Sequence, residues 1–311
     1  MISCTEYIPF YSELFKYIDE HYGYSAVQAY WTHRFKPDGK GIPLINFVKK
    51  DGLRGAYNYW SGTLKEEAAD ITITLNEKQG WYKNDMHHCP SKGRLLEMKE
   101  ELGFEPYAHY CDHCDYYRAA LNEVGLDWTY DFTGTDHASC CCVIYDPKVF
   151  KGVMTRDEDT VIKKFESKEL EYFHPAFHSG VSIGIDYLCS TYGEDALIEY
   201  LTNTTKTIYR KRIDRINAEG LGVLQEIILD TYKKEHAPEA VETVLTDDTL
   251  SVTVHWCPAV RHLQETGRMI SKWFPWTTSV VMDTIAKECG FTFTMGEYDE
   301  QTGRTSYSFK K

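Results

Sequence analysis

The chain has no apolar run of about 18 residues, the length a membrane-spanning helix needs, so no membrane partner is expected. Positive charge is also scarce. There are 34 Lys and Arg against 47 Asp and Glu, a net charge of −13. Such a surface repels phosphate backbones on average, which argues against nucleic acid as a partner. The one basic run, Lys206 to Arg215, is interrupted by Asp214 and reads as a solvated helix face. The opening Met1-Ile2-Ser3-Cys4 lacks the basic-then-apolar order of a secretion signal. Ten cysteines without such a signal point to a reducing cytoplasm, where thiols serve as ligands, nucleophiles or small buried groups rather than disulfides. Only one Cys-x-x-Cys is present, Cys111 with Cys114, and the βαβ setting of a thioredoxin-like redox pair is missing.

What is present is internal similarity. Residues 14–146 and 185–309 follow one plan. Tyr22-Gly23 is answered by Tyr192-Gly193, Asp51-Gly52-Leu53 by Glu219-Gly220-Leu221, and Val124-Gly125-Leu126 by Cys289-Gly290-Phe291. The alternating run Ile71 to Leu75 is matched to Leu250 to Val254, and Cys89-Pro90 to Cys257-Pro258 at an offset of 168 residues. So long a period excludes a solenoid and suggests two related half-domains about a pseudo-twofold axis. The expected division is repeat 1 over 1–146, a charged connector over 147–172 that is partly helical, and repeat 2 over 173–311. A homodimer is compatible with this reading.

Periodicity predicts helices over 44–49, 53–67 and 112–124, a helix running from Pro90 through Met98, and a half-buried strand over 70–76. Pro37, Gly39, Gly41 and Pro43 mark a loop. Gly125 fits a left-handed helix stop. Strands 127–132 and 140–146 form a hairpin around Gly134-Thr135-Asp136. The second half repeats the scheme, with helices over 181–190, 194–217, 221–235 and 277–288, strand 250–256, and a hairpin of 291–298 with 304–309. The fold class is α+β, with about three antiparallel strands per half that could join into one sheet.

The chemistry sits in one half. Repeat 1 carries Cys111, Cys114, Cys140, Cys141 and Cys142 with His109, His113 and His137, whereas repeat 2 has Trp276, Ser279, Thr305, Ser306 and Tyr307 at the matched positions. A half-domain that folds without these cysteines implies that the cluster is chemical and repeat 2 a scaffold. A thiol at a helix start is activated by unpaired N–H groups and the helix dipole, so Cys111 is a candidate nucleophile, with His113 or His109 as acid or base. Alternatively, Cys111, Cys114 and Cys140, with Cys142 or His137 as further donors, could hold zinc. Cys140 and Cys142 share one face of their strand, and Cys141 takes the other. A third reading has all of them as small buried hydrophobes. The 23 tyrosines either fill half-buried faces or line a pocket for a flat ligand. His87 or His88 could reach the site. His174 and His178, with Glu171, have the spacing of a helical metal face, but Pro175 between them marks a helix start.

The order Tyr110-Cys111-Asp112-His113-Cys114-Asp115-Tyr116, then a strand, then Gly134-Thr135-Asp136-His137-Ala138-Ser139-Cys140-Cys141-Cys142, resembles the L-2-amino-thiazoline-4-carboxylic acid hydrolase family. A more distant likeness is to vinyl-4-reductase-type small-molecule-binding domains. The resemblance covers about residues 89–146. One residue separates Gly134 from Asp136 and three separate Asp136 from Cys140, which departs from the family's Gly-Asp-x-x-Cys spacing. The resemblance implies that Cys111 and either Cys140 or Cys142 are the motif cysteines and Asp136 the turn acid. It also implies hydrolysis of a C–N bond in a small cyclic amidine-like or heterocyclic compound, with Tyr110, Cys114, Asp115, Cys140 and Cys142 as substrate contacts. A non-enzymatic small-molecule sensor is the alternative.

Overall fold

Two antiparallel sheets, each covered by helices, organise the computed structural model, which describes residues 1–38 and 42–311. Gly39 and Gly41 of the expected loop lie outside the described residues. The first part of the chain forms α1 (Tyr7–Tyr22), α2 (Tyr24–Arg34), α3 (Leu44–Glu66), β1 (Asp70–Asn76), β2 (Trp81–His88) and α4 (Pro90–Leu102). A 3-10 turn (Tyr110–Tyr117) leads into α5 (Arg118–Asn122), β3 (Asp127–Asp131), β4 (Cys140–Tyr145) and β5 (Val161–Phe165). The remainder forms α6 (Phe177–Tyr192), α7 (Glu194–Ile208), α8 (Arg210–Glu219), α9 (Leu221–Lys234), β6 (Val241–Leu245) and β7 (Thr249–Val254). It closes with α10 (Pro258–Glu265), α11 (Trp276–Glu288), β8 (Thr292–Met295) and β9 (Thr305–Lys310). The α+β class is as expected. No described helix is long and apolar enough to cross a membrane.

The chain divides into two compact units. The central unit holds Ile18–Met98 and Pro106–His174, and the terminal unit holds Met1–Tyr17, Lys99–Glu105 and Pro175–Lys311. The strands do not join into one sheet. They form a five-stranded sheet in the order β3-β4-β2-β1-β5 and a separate four-stranded sheet in the order β6-β7-β9-β8. The connector contributes β5, which pairs with β1 from Ile71 opposite Phe165 to Leu75 opposite Val161. Its Val-Ile-Lys-Lys-Phe run has enough apolar, β-favouring residues for an edge strand, and β1 offers it a free side.

Four strands of the larger sheet, β3-β4-β2-β1, follow the same order as β8-β9-β7-β6. This order makes β7 the counterpart of β2, not of β1 as the alternation suggests. The 168-residue offset agrees, since it carries Trp81 to Thr249, the first residue of β7. The helices of each part also carry a glycine break. Gly52 breaks α3 at φ +53°, and Gly220 separates α8 from α9 at φ +85°. Both glycines take a left-handed conformation that a side chain would disfavour.

In the central unit Ile71, Ile73, Leu75, Tyr82, Trp128 and Ile144 are buried on one face of the sheet. Trp60 of α3 stacks on Tyr82 and Trp128, each at 5.9 Å between ring centres. In the terminal unit Leu250, Val252, Val254 and Phe309 line the equivalent face. There the first helix stacks Tyr7 on Phe177 at 4.6 Å, and Tyr200 donates its hydroxyl proton to the Phe10 carbonyl at 2.7 Å. Much of the basic run is paired within this unit: Arg212 with Glu6, Lys206 with Glu288, and Arg215 with Glu219 and Glu226.

Candidate functional site

The cysteine cluster of the central unit is built on the 3-10 turn and on the start of β4. The expected helix over 112–124 is instead this turn followed by the five-residue α5, with Gly125 at φ +76° ending it. Side chains pull the segment out of α geometry. Asp112 pairs with the Tyr24 hydroxyl at 2.9 Å and with His109 Nδ1 at 3.0 Å. Asp115 accepts from Arg118 at 2.8 Å and from Trp128 Nε1 at 3.1 Å. Cys111 therefore does not sit at the positive end of a long helix dipole.

Its thiol reflects that. Burial pushes Cys111 up to about 11, with Lys92 pulling down and Asp112 and Asp136 adding to the rise. Asp136 is exposed in the hairpin turn, and as a charge it disfavours the thiolate. Burial likewise raises Cys89 to about 12 and Cys114 and Cys142 well above the ordinary range. Burial lowers His113 to about 4. The His113 Nδ1 contacts the Tyr110 carbonyl, which can only accept, so Nδ1 carries the proton and Nε2 faces the Cys114 thiol at 3.7 Å as acceptor. The base expected beside Cys111 thus partners Cys114.

Cys140 and Cys142 share the core face of β4, as alternation requires. Cys142 stands opposite Asn84 and Tyr130, and Cys141 opposite Asp85 and Asp131. Tyr130 stands opposite Cys142 on β3 and interacts electrostatically with Cys114 and Cys140. Among the described residues, the group of Cys, His, Asp or Glu ligand atoms that all lie within 4.8 Å is Cys4, His178 and Glu235, in the terminal unit. Tyr110 and Cys142, expected as substrate contacts, are 2% and 5% exposed.

Other candidates resolve into structural roles. His87 bonds the Thr72 hydroxyl at 2.9 Å, and His88 packs on Gly93. Cys89 donates its N–H to the Ala138 carbonyl at 2.6 Å, and Cys257 does the same to Thr302 at 2.8 Å. Each Cys-Pro pair thus ties the end of one strand to the turn of the following hairpin. His174 and His178 do not share a helix face. His174 precedes α6 and pairs with Glu66 at 2.6 Å in the central unit, whereas His178 lies in α6 and pairs with Glu235.

An open cleft of about 670 Å³ lies beside the turn, in the central unit. Tyr24, Phe35, Tyr116 and Phe132 contribute rings, and Asp112, Asp115, Arg118 and Lys36 contribute charge. Arg118 is fixed by the Trp128 carbonyl at 2.7 Å as well as by Asp115. Of these residues the sequence pointed to Asp115. Arg118, three residues on and able to pair with it, was the missed signal. Comparison with protein-family models, with curated proteins and with solved structures finds no match for this chain.

Proposed function

We propose that the central unit binds a small planar heterocycle that carries both an amidine-like donor group and an anionic group. One observation carries this reading: two carboxylates, a fixed guanidinium and four aromatic rings line a single cleft. Rings stack on a planar ligand, and buried or half-buried charges contribute directional bonds. Asp112 and Asp115 suit the donor group, and Arg118 and Lys36 suit the anion. The shared strand order of the two sheets supports reading the chain as a tandem duplication in which one copy keeps the ligand site.

Binding without turnover is the primary reading, because burial holds the Cys111 thiol protonated near neutral pH. Hydrolysis of the ligand's C–N bond is the second, with Cys111, the chain neighbour of the cleft residue Asp112, as nucleophile. It is favoured by Lys92, whose charge stabilises the Cys111 thiolate. Calorimetric titration of 2-aminothiazoline-4-carboxylate and of its decarboxylated amidine tests the proposal. Arg118→Ala should weaken the carboxylate-bearing compound by roughly tenfold or more and leave the amidine alone little changed. Asp115→Asn should weaken both. Binding that neither substitution alters would refute the assignment. Chromatography for a ring-opened product separates turnover from binding.

A further inference from the structure

The terminal unit holds a cluster that the proposed ligand site does not use. Cys4 heads a short 3-10 turn, His178 is the second residue of α6, and Glu235 follows the last turn of α9. Three segments far apart in sequence bring a thiol, an imidazole and a carboxylate together, with one ligand atom from each all within 4.8 Å of one another. All three residues are nearly inaccessible, at 0%, 1% and 4% exposure. The positions are held firmly. Glu235 Oε1 accepts the Cys4 N–H at 2.6 Å, and Oε2 is 2.9 Å from His178 Nε2.

A second observation concerns the ring itself. His178 Nδ1 is buried and has no hydrogen-bond partner among the described residues. A buried imidazole normally has both nitrogens served. Here the protein serves one. With Nε2–H donated to Glu235, Nδ1 presents a lone pair that no donor among the described residues meets. Metal-bound histidines are oriented in this manner, one nitrogen on the ion and the other on a carboxylate.

We propose that Cys4, His178 and Glu235 form a binding site for one divalent transition-metal ion of the zinc class. A soft thiolate and an imidazole select zinc, cobalt or nickel over calcium and magnesium, which prefer all-oxygen sets. Cys4 and His178 are direct ligands. Glu235 supplies the balancing carboxylate, as a ligand or as the acceptor that orients the ring. On binding, the Cys4 thiol gives its proton to solvent, and the sulfur–metal bond forms in its place. The site joins the N-terminal turn to α6 and α9, so its role is structural, and it stands independently of ligand binding in the central unit.

The test is cobalt titration of the purified full chain after chelator treatment, read by the thiolate-to-cobalt charge-transfer band. The expected result is one cobalt per chain with that band present. The band should persist in a Cys111→Ser, Cys114→Ser, Cys140→Ser triple variant, whose substitutions lie in the other unit. It should disappear in Cys4→Ser, with affinity falling by about 100-fold or more, and Glu235→Gln should weaken binding by roughly 10–100-fold. Loss of the band in the triple variant, its persistence in Cys4→Ser, or failure to retain stoichiometric cobalt would each overturn the proposal. The triple-variant result decides the matter even if Cys4→Ser does not fold.

Discussion

Helix α3 offers one substitution with two opposite outcomes. Its two halves meet at Gly52, and a Cβ on Gly55 would lie 2.0 Å from the Phe47 carbonyl oxygen and 2.4 Å from its carbon. Gly62, two turns further along the same helix, has nothing within 4 Å of its Cβ position and is exposed. Alanine in place of glycine gains about 1 kcal/mol of helix propensity at either site. At Gly62 that gain stands alone. At Gly55 the new methyl meets backbone, which cannot rotate away, and the halves must separate by about 1 Å. Overpacking of that kind costs roughly 1–3 kcal/mol, and a backbone clash belongs at the upper end. Gly55→Ala should therefore lose about 2 kcal/mol while Gly62→Ala gains about 1. The gap of about 3 kcal/mol is roughly a hundredfold in an equilibrium constant. A chain of two units need not unfold in one step, so the readout should be local. Amide hydrogen exchange over Leu53–Glu66 reports the opening of this half-helix directly. Protection in Gly55→Ala equal to or above that of the unaltered protein would refute the close approach of the two halves.

Two further outcomes follow from the thiol cluster. Cys111, raised to about 11 by burial, should be alkylated at pH 7 a few hundredfold more slowly than an ordinary thiol, with the rate still climbing tenfold per pH unit above pH 8. A rate that levels off below pH 8, followed by mass spectrometry of the Cys111 peptide, would revive the nucleophile. His113 titrates near 4 in the folded protein because of burial, below its ordinary 6.5. Between those values the unfolded chain binds more protons, so stability falls as pH drops from 6.5 to 4 and is fully present above 6.5. The contribution is about 3 kcal/mol at most, and denaturant titrations of His113→Gln should show a shallower loss over that window. Equal pH slopes in the two proteins would count against a buried neutral ring.

Local pattern told much about the fold and less about the site. The strand at 70–76 and the two hairpins carry alternation strong enough to survive in their final context. The shared face of Cys140 and Cys142 follows from the same two-residue period. β2 was not legible. Its sequence, Trp-Tyr-Lys-Asn-Asp-Met-His-His, is mostly polar, and it is a strand because β1 and β4 flank it on both sides. The 3-10 turn at Cys111 was missed for a related reason. Apolar residues there keep helical spacing, but the carboxylates of Asp112 and Asp115 are drawn to Tyr24 and Trp128, partners that only the tertiary structure supplies. The meeting of Cys4, His178 and Glu235 leaves no trace in spacing, because the residues lie on separate elements.

The terminal unit is assembled from both ends of the chain, and this gives it a history during synthesis. Met1–Tyr17 leaves the ribosome well before most of its unit, which lies at Pro175–Lys311. At about 5–20 residues per second the interval is roughly 10–30 seconds. Through that time the apolar face of the first helix, with Phe10, Leu14 and Phe15, lacks most of its native cover. The central unit can complete its sheet once β5 has emerged. Met1–Tyr17 is thus made early in this chain yet is among the last segments to find its place, and meanwhile its apolar face is open to chaperone capture or to pairing with a neighbouring copy.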